Sequence, residues 1–186
     1  MWTIAPYLRT SVNNPYNYYP LDLPGHVYLQ RMRKIETLLH KDDHMTSKKN
    51  IYLAGPLFSQ AERDFNVYLR DRLVEKGFSV FLPQEDGCDD SETRLELRQK
   101  NIFENDVKGI DDCDIVVAVL DGGSDVDSGT AWEIGYAYAK GKKIQGLRTD
   151  FRTFGPEGNV NLMIEVSLDE LEKDVQGLLS SLETYL

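Results

Sequence analysis

The chain has 186 residues, 41% of them hydrophobic, which is enough for one domain with a real core and some additional chain. Its formal net charge is −10, which argues against a nucleic-acid polymer as partner, because phosphate backbones recruit basic faces. No apolar run approaches the roughly 18 residues that a membrane helix needs, so no membrane partner is expected.

Residues 1–49 are rich in Tyr, Pro and Asn, and "MWTIAPYLRTSVNNPYNYYP" lacks the basic and apolar regions of a signal peptide. Over about 25–40, Val27, Met32, Ile35, Leu38 and Leu39 can share one helical face, and "DDHMTSKKN" then reads as a polar linker. This stretch is read as an N-terminal extension, 1–49, docked as an arm because Tyr and Trp are costly to leave exposed. Cys88 and Cys113 show neither metal spacing nor a disulfide framework, so a reduced, cytoplasmic setting is expected.

From Asn50 the pattern changes, and a single domain over 50–186 is expected. "NIYLAG" predicts a short buried strand ending at Gly55-Pro56. "SQAERDFNVYLRDRLVEKG" predicts a helix with Phe65, Leu69 and Leu73 on one face, stopped by Gly77. "FSVFLP" predicts a second strand, and "SETRLELRQKNIFENDVKGI" a helix capped by Ser91. "DIVVAVLDG" is apolar without alternation, the mark of a strand buried on both faces in a parallel sheet. "TAWEIGYAYAKG" predicts a helix, with Trp132 and Tyr136 as packing residues, and "KKIQGL" a fourth strand. "VNLMIEVS" predicts a fifth strand, followed by a helix from about Leu168 to Leu182. Alternating strands and helices imply a Rossmann-like, doubly wound, mostly parallel five-stranded α/β sheet with helices on both faces. Ligands bind such folds at the carboxyl ends of the strands. "AGPLFS", "PQEDG" and "DGGSDVDSG" lie there.

The last of these loops leads into a helix that Asp127 or Ser128 can cap. A helix starting near Gly129 places Glu133 within about its first turn, where free N–H groups and the helix dipole favour an ionised carboxylate. A partly desolvated carboxylate there can attack an electrophilic carbon, and Gly129, Thr130 and Ala131 leave room for a ligand. Asp127 can face the same cleft. The plainer reading is that Glu133 is only a favourable helix residue. Calcium is a further alternative, but counting a calcium loop from Asp125 puts Tyr136 where its bidentate glutamate belongs. No G-x-G-x-x-G follows the first strand. Asp111, Asp112 and Asp114 read as a solvated turn. His26, His40 and His44 all precede residue 50, which disfavours histidine catalysis.

The segments "IYLAGPLFS", "RQKNIFENDVKGIDDCDIVVAVLDG", "DVDSGTAWEIGYA" and "NLM", in this order, resemble the nucleoside 2-deoxyribosyltransferase family over roughly 50–167. The D-x-G-T-x-x-E-x-G pattern from Asp127 to Gly135 is the most specific part. The resemblance implies a flavodoxin-like fold and retaining double displacement at a sugar's anomeric carbon, without metal or organic cofactor. It implies that Glu133 is the nucleophile, that Asp127 and Asp106 act on the nucleobase side, and that Tyr52 orients the nucleophile. It further implies that Gly55 and Phe58 line the pocket, that Gln84 contacts the base, and that a neighbouring subunit lends Asn161 to the sugar. The expected partners are therefore (deoxy)nucleosides, free nucleobases and further copies of this chain, in a dimer-based assembly up to a hexamer.

These residue types suit the chemistry. Breaking a C–N glycosidic bond builds positive charge on the sugar, which a carboxylate beneath it stabilises, and the departing base needs a proton from an acid opposite. Each residue also has a structural reading: Tyr52 as core, Asp106 as a surface acid, Asn161 as a turn residue, Asp127 as a cap. Two other functions stay open. One is N-glycoside hydrolysis of nucleosides or their 5′-monophosphates, for which Ser59, Arg63, Arg148 and Arg152 are candidate phosphate contacts. The other is a non-catalytic nucleoside or nucleotide sensor.

Overall fold

Strands that lie between two helical layers need apolar residues on both faces, and Asn50–Ala54 (β1) and Ile115–Val119 (β3) meet that demand, with every residue of β3 buried. In the computed structural model, which describes residues 48–87, 94–123, 125–155 and 158–186, they are joined by Ser79–Phe81 (β2), Lys143–Leu147 (β4) and Glu170–Glu172 (β5). Residues 1–47 of the extension, with its expected helix and the three histidines, together with Cys88 and the Ser91 cap, lie outside the described residues. The sheet is parallel throughout, in the order β2-β1-β3-β4-β5. The helices are Gln60–Lys76 (α1), Pro83–Asp86 (α2), Leu95–Asp112 (α3), Ser128–Ala139 (α4), Leu162–Glu165 (α5) and Val175–Leu182 (α6).

Alternation along the strands sorts the core into two layers. Ile51, Leu53, Val117 and Val119 point toward α1 and α6, where Leu69, Leu73 and Leu178 bury. Tyr52, Ala54, Val116 and Ala118 point the other way, against Ile110 of α3, Ile134 of α4 and Ile164 of α5. Full burial of such a side chain is worth about 1.5–3 kcal/mol. The chain leaves β1 toward β2 on one side and returns to β3 on the other. The crevice between the carboxyl ends of β1 and β3 is therefore the topological switch point.

Helix ends follow local chemistry. Ser59 and Glu62 form a reciprocal capping box at the start of α1, and Gly77 ends it in the left-handed region at φ 117°. α3 has Arg94 at its N-cap position, without a side-chain cap. The acids read as a solvated turn are exposed, but Asp111 and Asp112 belong to a helix end, and Asp111 and Asp114 are tied to neighbouring elements. Asp111 and Asp112 close α3, where a carboxylate opposes the helix dipole, and Lys140 Nζ sits 2.9 Å from Asp111 Oδ1 in compensation. Asp114 Oδ2 accepts from the Asn50 N–H at 2.9 Å and so ties β3 to β1.

The C-terminal third departs from expectation. "VNLMIEVS" is not a strand. Asn161 caps the short α5, and the Glu165 carboxylate accepts from the N–H groups of Asn159 and Val160, curling the chain despite its β-branched residues. The fifth strand is β5, inside the stretch read as helix from Leu168. Glu-Leu-Glu favours a helix locally, but pairing with the exposed edge of β4 overrides that preference, and α6 starts only at Val175 behind an Asp174 cap. Among the described residues no helix is long and apolar enough to cross a membrane.

Candidate active site

Tyr52 is the third residue of β1, and its side chain is completely buried. Its ring stacks on Phe81 of β2 with centroids 5.4 Å apart and planes 13° from parallel. The hydroxyl donates to Glu133 Oε1 at 2.5 Å. Burial first, and then the Glu133 carboxylate, push the phenol far above its ordinary range, so it remains a protonated donor. A strand residue thus carries a polar tip through the core to α4.

Glu133 is the sixth residue of α4, because Asp127 caps the helix and Ser128 begins it. It lies in the second turn, not the first, so the free N–H groups of the helix end do not hold it ionised. The effect is the reverse of the expectation. Burial pushes its carboxyl up to about 7, the Tyr52 hydrogen bond opposes that rise, and the charges of Asp106 and Asp127 add to it.

Asp127 holds its place through Oδ2, which accepts from Thr130 N at 3.0 Å and Thr130 Oγ1 at 3.3 Å. A Cβ on Gly129 would come within 3.1 Å of that same oxygen, so the small residue there makes room for the cap. Asp106, on the sheet side of α3, buries Oδ1 without a hydrogen-bond partner, and desolvation raises its carboxyl to about 6. Tyr52, Glu133, Asp106 and Asp127 therefore form one interacting group drawn from β1, α3 and α4. Phe81 was missed in the sequence. Its link to Tyr52 is the β1–β2 register, which no local pattern reveals.

The remaining candidates fall around this group. Gly55 follows β1 where the chain passes close to β3, since a Cβ there would lie 3.1 Å from that of Val119. Phe58 is 73% exposed. Gln84 is engaged with protein: its Nε2 donates to the Arg63 carbonyl at 3.1 Å and its Oε1 accepts from Asn66 at 3.2 Å. Asn161 lines a separate groove of about 620 Å³ with Asp125, Ile134, Tyr138 and Met163, and neither Glu133 nor Tyr52 lines it. Trp132 packs at the surface and not in the core: it is 47% exposed, stacks on Tyr136 at 5.3 Å and meets the Phe103 ring of α3 at 5.3 Å.

The four candidate phosphate contacts already have partners. Ser59 Oγ accepts from Glu62 N, and the Glu62 carboxylate takes the Phe58 and Ser59 N–H groups. Arg63 Nη1 donates to the Leu57 and Phe58 carbonyls. Arg148 is buried with Nη1 on the Leu120 carbonyl and Nη2 on the Arg152 carbonyl, its Nε alone lacking a partner, and Arg152 pairs with Asp150.

The family model described as nucleoside 2-deoxyribosyltransferase matches residues 51–179. A curated relative, an uncharacterized protein of Ureaplasma parvum serovar 3, is 38% identical over 127 residues, covering 58% of this chain and 75% of that protein. Among solved structures, a conserved protein from Enterococcus faecalis V583 is 30% identical with a TM-score of 0.65, over 75% of this chain and 100% of the other. The 2-deoxyribosyltransferase of Bacillus psychrosaccharolyticus is 28% identical with a TM-score of 0.62, over 70% and 90% of the two chains. That of Leishmania mexicana is 26% identical with a TM-score of 0.58, over 74% and 99%. With the family pattern spanning more than half of its length on a matching fold, this chain belongs to the nucleoside 2-deoxyribosyltransferase family.

Proposed function

We propose that this protein exchanges the base of a 2′-deoxyribonucleoside by retaining double displacement through a deoxyribosyl ester on Glu133. The observation that carries the reading is the Tyr52 hydroxyl held 2.5 Å from Glu133 Oε1, with the buried Asp106 Oδ1 left without a hydrogen-bond partner. Tyr52 fixes one oxygen and leaves Oε2 to attack the anomeric carbon. As the C–O bond forms, the C–N bond breaks and its electron pair passes to the base, which takes the proton of Asp106. An incoming base then gives a proton back to Asp106 and attacks the ester from the opposite face. The configuration at the sugar is retained after two inversions.

The protonation states have to be paired. Glu133 acts when ionised and Asp106 when protonated, and burial raises both carboxyls. Ionising Glu133 while Asp106 keeps its proton works against burial of the charge, and the two limbs of the rate profile belong to the group as a whole. Desolvation offsets that cost, since a poorly solvated carboxylate is a better nucleophile. Asp127, held by Thr130, faces the base. The bonds already made by Ser59, Arg63, Arg148 and Arg152 favour a neutral nucleoside over a monophosphate. Asn161 reaches the sugar of a neighbouring copy in a homo-oligomer.

The test mixes a purine deoxynucleoside with a different free base and follows both by chromatography. A new deoxynucleoside is expected, and mass spectrometry without acceptor should find a deoxyribosyl adduct on Glu133. Free base with no exchange product would assign hydrolysis instead. Glu133→Gln should lose at least about 10³-fold in turnover, because the covalent step vanishes. Near-normal rates in that variant would refute the nucleophile.

A further inference from the structure

The wall behind Tyr52 has almost no slack. α3 crosses β1 at Gly109, where a Cβ would stand 3.0 Å from Cδ2 and Cε2 of the Tyr52 ring and 3.1 Å from Cδ1 of Phe81. Ordinary contact for such a carbon is 3.4–4 Å. The ring cannot retreat easily. It is fully buried and stacked on Phe81, and its backbone pairs with β2 on one side and β3 on the other. The helix cannot retreat without consequence either, because Asp106 sits three residues earlier on α3 and would move with it.

We infer that Gly109 is a positioning residue: its missing side chain lets α3 close on the Tyr52 ring and seat the hydroxyl against Glu133. A methyl group at this position shifts the ring and so loosens the bond between Tyr52 and Glu133, whereas lifting α3 instead would carry the Asp106 charge away from Glu133 and lower its titration, the opposite sign. The groups that face Glu133 are Tyr52 from β1, Asp106 from α3 and Asp127 from the start of α4. Of these, Tyr52 alone lowers its titration, so loosening that bond lets burial and the two aspartates raise it further. The effect on turnover rests on Glu133 being the nucleophile. The effect on its titration does not.

The experiment is a carboxyl ¹³C NMR titration of Glu133 in the full chain, in four forms: wild type, Gly109→Ala, Tyr52→Phe and the double variant. Tyr52→Phe should raise the titration midpoint, and Gly109→Ala should raise it by about half a unit or more through the same bond. In the double variant the value should equal that of Tyr52→Phe alone, because Gly109 acts through the hydroxyl. An unchanged or lowered midpoint in Gly109→Ala, or a shift that adds in full to that of Tyr52→Phe, would overturn the proposal. On turnover, Gly109→Ala should lower kcat about 3–10-fold with KM little changed, as expected for an interaction that matters in the transition state. Should Gly109→Ala not fold, Phe81→Leu opens the same seat from the other side without adding atoms. Its Glu133 midpoint should also rise, and an unchanged value would overturn the proposal. Failure of the transferase reading shows separately, as turnover kept in Glu133→Gln, and leaves the titration readable.

Discussion

Glu133 couples the chemistry of the site to the stability of the fold. Its carboxyl titrates at an ordinary 4.5 when unfolded and at about 7 when folded. Between those values the folded state holds a proton that the unfolded state has released, so stability falls as pH rises from about 4.5 to about 7. Glu133→Gln removes the titration and mimics the protonated form. The variant should therefore be more stable than wild type at pH 8, by about 3 kcal/mol, and the difference should close on acidification below about pH 4.5. Urea denaturation across a pH series measures it, and a gap that stays constant with pH would contradict the burial of this group. At this scale the sequence was informative about residue type and spacing: Asp127, Glu133, Asp106 and Tyr52 were all readable as candidates. It was misleading about charge state, because desolvation depends on what packs around a side chain, and the packing comes from β1 and α3, distant in the chain.

Elements differ in how much of their cause is local. α1 has a capping box at one end, a left-handed glycine at the other, and Leu69 and Leu73 on its buried face, so each of its signals lies within its own residues. Ser59→Ala removes the oxygen that accepts from Glu62 N and should cost about 1 kcal/mol of unfolding free energy. It should lower the midpoint of a urea transition without changing its slope. β3 was equally plain, since an unbroken apolar run already states that both faces are covered. β5 was not. Three residues with helical preference become a strand only because β4 has a free edge, and that edge exists only once the rest of the sheet is assembled. The same holds in reverse for the residues before α5, whose strand-like composition loses to the three hydrogen bonds that the Glu165 carboxylate accepts.

At the scale of the whole molecule, α4 and α5 leave an apolar face. Tyr138, Leu162, Met163 and Val166 are each more than half exposed beside the groove that Asn161 lines. Such a face is costly to leave in water, and covering it with another copy would bring Asn161 toward a neighbour's carboxylates. Light scattering is expected to find an oligomer, and Val166→Asp should weaken it. If the asparagine is shared in this way, inactive Glu133→Ala and Asn161→Ala chains should recover part of the activity when mixed and allowed to exchange, because hybrids contain an intact site. A fully active monomer, or no recovery in exchanged mixtures, would refute the shared site.

The order of strands and helices as far as β4, the parallel sheet and the identity of the acidic residues were set by the sequence itself, because period, apolar runs and caps act over a few neighbouring residues. The tertiary structure alone decided that Tyr52 reaches Glu133, that Glu133 stays partly protonated near neutrality, and that the last strand sits at Glu170–Glu172. Those outcomes depend on burial and pairing between segments far apart in the chain, and burial is a property of the assembled fold.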